Sequence, residues 1–129
     1  MTSTDTNTIT IICLVNGESS GHAFALDIGK DKCISHLKEE IKKKKAPKFD
    51  NLAADELILW KVDIPTSDLD TMPEDLVLEN NKEKGVQALH PVNKIGNIFS
   101  GVPEESIHVI VERPHGMRTY QYLFYFLST

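Results

Sequence analysis

The chain has 129 residues, 40% of them apolar and 26% charged, with a formal net charge of -5. That length suits one domain with its own core, and the acidic balance argues against a nucleic-acid binder, which carries a basic face. No apolar run approaches the roughly 20 residues of a membrane-spanning helix, and two cysteines, Cys13 and Cys33, are too few for a disulfide framework and sit in no metal-binding spacing.

Residues 1–7 are polar and without a basic stretch, so a disordered N-terminus and no conventional secretory signal peptide are expected. Thr8 to Val15 is rich in β-branched residues and reads as a strand, with Cys13 a small packed side chain within it. Asn16 to Gly21 supplies turn residues. His22 to Ile28 alternates, placing Phe24, Leu26 and Ile28 on one face of a second strand and completing a hairpin.

From Asp31 to Ile41, Ile34, Leu37 and Ile41 recur at helical spacing, so a helix lays one narrow apolar stripe on the hairpin. Asp31 is the expected cap, the lysines after Ile41 suit the negative end of the helix dipole, and Pro47 stops it. Glu56 to Val62 reads as a third strand. An acidic insertion, residues 63–88, follows, with a short helix or strand expected near Leu76. Leu89 to Phe99 reads as a strand edge and a short second helix whose apolar residues are Val92, Ile95 and Phe99. Ile107 to Val111 has β-branched residues on both faces, as a central strand of a mixed sheet does. The expected fold is α+β: a β-grasp with a mixed sheet of four to five strands packed on one main helix, plus a short second helix. Residues 115–129 form an aromatic tail of unclear status.

Several segments together resemble a known family. Asp31-Lys32 at the helix start, Ala54 to Pro65 with its Leu57-Ile58-Leu59-Trp60-Lys61 core, Leu89-His90-Pro91-Val92-Asn93-Lys94-Ile95, and Ile107-His108-Val109-Ile110-Val111 are similar to the N-terminal domain of Crinkler effectors. The resemblance covers about residues 8–114. It implies a ubiquitin-like header, secreted and acting in host cells, including the host nucleus. Its partners would be host proteins or an effector's C-terminal domain. Leu57, Leu59 and Lys61 match the delivery motif of oomycete members; Ile58 and Trp60 depart from it, Cys33 stands where Thr is common, and the tail does not match.

No constellation for catalysis is visible. The five histidines are scattered, and neither a phosphate-binding loop nor a nucleophile motif occurs. No enzyme, cofactor or metal is expected. The run Lys42, Lys43, Lys44, Lys45 reads either as a solvated helix end or as a nuclear-import signal. With Leu57 and Leu59 turned inward, period two turns Ile58 and Trp60 outward. With Ile107, Val109 and Val111 inward, His108 and Ile110 join that outer face. These four residues make a candidate partner-binding patch, unless the acidic insertion or the aromatic tail folds over Trp60. Two functions follow: an effector's delivery and interaction header, or an intracellular ubiquitin-like adaptor using this face. Homo-oligomerisation stays open.

Overall fold

The computed structural model of the protein describes residues 7–73, 76–101 and 105–114. Residues 1–6 of the start expected to be disordered and the aromatic tail 115–129 lie outside the described residues; Asn7, the last residue of that start, is instead held in the fold, its carbonyl accepting the Lys30 N–H.

The hairpin is built from β1, Thr8–Val15, and β2, Phe24–Gly29, antiparallel with Ile11 opposite Leu26. Gly17 turns the chain between them at φ 100°, a conformation that costs glycine little. A single 3-10 turn, Ser20–His22, takes up His22, the first residue expected in the second strand, which begins at Phe24. The main helix, α1, runs Ile34–Lys44 and buries Ile34, Leu37, Lys38 and Ile41. β3, Ile58–Pro65, follows a 3-10 turn at Ala54–Glu56 and runs three residues past the expected Val62. β4 is two residues, Gln87–Ala88; α2 is one turn, Ile95–Ile98; β5 is Ser106–Glu112.

The sheet order is β2-β1-β5-β3-β4. β5 lies parallel to β1 and antiparallel to β3, with its residues from Ser106 to Val111 buried, as the double-sided apolar pattern requires. A five-stranded mixed sheet wrapped on one main helix is the ubiquitin-like β-grasp expected from the sequence.

The main core lies between the sheet and α1. Ile11, Cys13, Leu26, Ile28, Leu57, Leu59, Val109 and Val111 meet Ile34, Leu37 and Ile41, and Phe49, Leu89, Ile95 and Phe99 close its ends. Each such side chain contributes about 1.5–3 kcal/mol when fully buried. Cys13 is completely buried, and burial pushes its thiol far above the ordinary range, so it packs rather than reacts.

Three local expectations are corrected. α1 begins at Ile34 with Cys33, not Asp31, at the cap position. Asp31 instead lies in a turn closed by the Lys32 N–H on the Gly29 carbonyl. The helix finds its caps in distant backbone: the amides of Ile34 and Ser35 donate to the carbonyls of Asn93 (2.9 Å) and Pro91 (3.0 Å). His36 Nδ1 accepts the Cys33 N–H at 3.1 Å. These bonds satisfy first-turn donors that would otherwise need a side-chain cap. Val92 is 70% exposed because it sits in the turn before α2, not on that helix's buried face. Among the described residues around Leu76 there is no helix or strand; the insertion's regular pieces are a 3-10 stretch at Thr66–Thr71 and β4 at its end.

Candidate functional site

The sheet's outer face, away from α1, carries a second apolar cluster. Leu14, Val62, Ile107 and Ile110 are buried there beneath residues of the segment 66–86, including Leu69, Met72, Leu76, Leu78 and Val86. This acidic segment is a strap across the sheet. Its few apolar residues are placed to reach inward: Leu76 and Leu78 are half-buried, while Val77 between them is 94% exposed.

Polar bonds fix the strap. The Asn16 side chain grips Leu76 at both backbone groups, with Leu76 N–H donating to Oδ1 at 2.7 Å and Nδ2 donating to the Leu76 carbonyl at 2.9 Å. An amide side chain used this way imitates one rung of a β-ladder. Glu112 stands beside it, accepting from Trp60 Nε1 at 3.0 Å and from Asn16 Nδ2 at 3.4 Å. Further along, the strap turns back through an Asn81–Val86 bridge, with Gly85 at φ 70°, and the Ala88 N–H donates to Asn80 Oδ1 at 2.9 Å.

The four expected surface residues therefore do not form one open patch. Ile58 is 38% exposed, Trp60 is half-buried, and His108 and Ile110 are buried at 4% and 0% exposure. The expected exposure of His108 and Ile110 is corrected: Ile110 lies in the outer cluster beneath the strap, and the His108 ring is turned onto the backbone of β1. Ile107 is corrected too. Lys61 pairs with Val109 but Ile64 with Ile107, so β3 carries one extra residue, and this bulge goes with Ile107 joining the outer cluster instead of the main core. His108 is a buried histidine with a structural partner: its Nδ1 accepts the Ile12 N–H at 3.1 Å.

The other named residues divide similarly. Leu57 and Leu59 of the motif are core side chains at 1% and 0% exposure, and Lys61 is half-buried. In the lysine run, Lys43 and Lys44 are exposed and Lys42 is half-buried. Lys45 is not free: it binds Glu18 at 3.2 Å and lies 5.2 Å from the Phe24 ring centre. Lys48 binds the other Glu18 oxygen at 2.9 Å. Burial would raise the Glu18 carboxyl, but its bonds to Lys48 and Lys45 outweigh this and hold it below the usual range. Burial pulls the Lys38 ammonium below its ordinary range, against the opposing pull of Asp55. Among the described residues, no three His, Cys, Asp or Glu side chains converge as a metal set, and no helix is long and apolar enough to cross a membrane.

The profile of the Crinkler effector protein N-terminal domain matches residues 9–112. The chain belongs to the Crinkler N-terminal domain family. It is also similar to "Crinkler effector protein 1" of Rhizophagus irregularis, 39% identical over 116 residues. That alignment covers 89% of this chain but 24% of the relative, so the chain spans about a quarter of that protein's length.

The segments that carry the Crinkler resemblance occupy structural positions here. Asp31-Lys32 and Leu89 to Ile95 are two halves of one junction. The Asn93 and Pro91 carbonyls cap α1, while the Ile95 and Gly96 amides donate to the Lys32 and Lys30 carbonyls at 2.8 and 2.9 Å. A side chain at Gly96 would meet the Lys30 carbonyl oxygen at 3.1 Å. Sequence reasoning missed Asn16, Glu18 and Glu112, because a turn Asn and two lone acids look like solvated residues until their partners, 27 to 96 positions away, are known.

Proposed function

We propose that this Crinkler domain is the non-catalytic header of a secreted effector, acting through protein contacts in delivery to host cells or within them. The observation that carries this reading is one of proportion. The family profile takes up nearly all of the described fold, whereas the alignment takes up a quarter of a relative named as an effector protein. A header joined to a separate effector domain fits that ratio. The burial of Leu57, Leu59, His108 and Ile110 favours a scaffold role for most of the recognisable motif. In this reading, the sites open to a host partner on these segments are Ile58, the rim of Trp60 and the exposed Lys43 and Lys44, the last two serving nuclear import where it occurs.

The test is to express the chain fused to a reporter in the producing organism and to follow it during contact with the host. Arrival of the reporter inside host cells is expected. Retention in the producing cell under those conditions would remove the delivery reading and favour the intracellular adaptor.

A further inference from the structure

The two edges of the sheet are not alike. At one edge lies β4; at the other lies β2, beyond which no further strand lies among the described residues. The Lys30 N–H bonds to the Asn7 carbonyl at 2.7 Å, and the register pairs Thr8 with Gly29, Ile9 with Ile28 and Ile11 with Leu26. Hydrogen-bonded pairs alternate along an antiparallel ladder, so Phe24, Leu26 and Ile28 bond to β1. Ala25 and Asp27 then direct their N–H and C=O groups away from the sheet, and both residues are exposed.

This row of two donors and two acceptors borders a groove of about 290 Å³ between β2 and α1. Asp27, Gly29, Lys32, His36, Glu39 and Glu40 line it. Glu39 and Glu40 line it from α1 and Lys32 from the turn before that helix, the Glu40 carboxylate being shared with Lys43 at 3.4 Å, while the Asp27 carboxylate, alternating with the core residues Leu26 and Ile28, projects from the other face of the same edge. Asp27 accepts a bond from the Thr10 hydroxyl but no cation.

We infer that the β2 edge is a docking site for an extended peptide rich in lysine or arginine, which adds to the sheet as a sixth strand beside α1. Backbone bonds to Ala25 and Asp27 give the contact its direction, and basic side chains opposite Asp27 and Glu39 give it selectivity. The occupant is a basic strand because the unpaired backbone asks for extended chain and the surrounding carboxylates ask for cations. The inference does not rest on delivery: a domain that never enters a host cell still presents this edge.

The probe is a blocked octapeptide of the repeat Lys-Lys-Val-Val, which carries lysines on both faces of a strand, titrated into the full chain and followed residue by residue by amide hydrogen exchange. Slowed exchange at the Ala25 and Asp27 amides is expected, with the blocked glutamate–valine octapeptide having no effect. Ala25→Pro deletes one outward donor without touching the bonds to β1 and should abolish binding, since proline is tolerated on a strand edge but blocks its extension. Glu39→Lys, on the exposed side of α1, should weaken binding about tenfold, the loss of roughly one charge-assisted contact. Protection appearing only on the strap overturns the proposal, as does equal binding of the acidic peptide or unchanged binding by Glu39→Lys. Self-association that needs Ala25 would likewise overturn it, by making the occupant a second copy of the domain.

Discussion

Asn16 and Leu76, sixty residues apart, bond each other through both ends of one side-chain amide, at 2.7 and 2.9 Å. This contact joins the end of β1 to the middle of the strap, and so decides whether the sheet's outer face is covered. Asn16→Ala should lower stability by about 1–3 kcal/mol, the cost of leaving partly buried groups unpaired. Hydrogen exchange should rise at Leu76 to Asn80 before it rises in the main core; equal acceleration everywhere would deny the clamp its local role.

His108 ends the parallel ladder between β1 and β5. The register starts at Cys13 and Val109, and one residue earlier the Ile12 N–H goes to the His108 ring instead of a β5 carbonyl. An accepting Nδ1 places the proton of the neutral ring on Nε2. His108→Leu keeps the volume and loses the acceptor, so a cost of about 1–3 kcal/mol is expected in denaturant unfolding.

Trp60→Ala combined with Ile110→Ala is the variant that would probe an open partner patch. With Ile110 fully buried, this pair should instead unfold readily. Ile110→Ala alone should cost about 2–5 kcal/mol, because it opens a cavity under the strap. A melting temperature close to that of the parent would mean that the strap is not seated on the sheet.

Glu18 makes stability depend on acid. Its carboxyl is held below the usual range in the folded protein, so the unfolded chain takes up its proton first as pH falls. The stabilisation from Lys45 and Lys48 is complete above the ordinary glutamate range and is lost as pH drops through the lowered folded value. Glu18→Gln should lower the melting temperature at neutral pH and flatten its decline towards acid.

Lys38 has the opposite sign. Burial disfavours its charged form, so the unfolded chain holds that proton more tightly, and stability rises with pH as the folded-state ammonium deprotonates. Lys38→Met keeps the length of the side chain and removes the charge. It should raise the neutral-pH melting temperature, because the cost of burial exceeds the Asp55 attraction; a lowered melting temperature would show the ammonium to be stabilising where it lies.

The parts of the fold that could be read from the sequence are those set by local period. Leu57 and Leu59 alternate into the core, and Ile34, Leu37 and Ile41 repeat every three or four residues; β5, apolar on both faces, lies inside the sheet with Val109 and Val111 turned to the main core, and only Ile107 departs from its pattern. The strap was less legible. Its inward residues are sparse and interleaved with Asp68, Asp70 and Glu79, so no period stands out, and what covers the outer face depends on Asn16 and Glu112 meeting it from far along the chain. The cap of α1 is hidden from a local reading for the same reason: Asp31 has the right residue type nearby, but the acceptors come from Pro91 and Asn93.

The place of β5 between β1 and β3 also governs the birth of the domain. Among the described residues, the β1–β2 hairpin and the β3–β4 pair share no ladder of their own; each is joined to the other through β5, which follows all four in the chain. During synthesis the domain cannot close its sheet until residue 112 has left the ribosome, so the nascent chain carries two unjoined half-sheets until then. Any sequence fused after β5 is therefore being translated at the moment the domain first becomes whole.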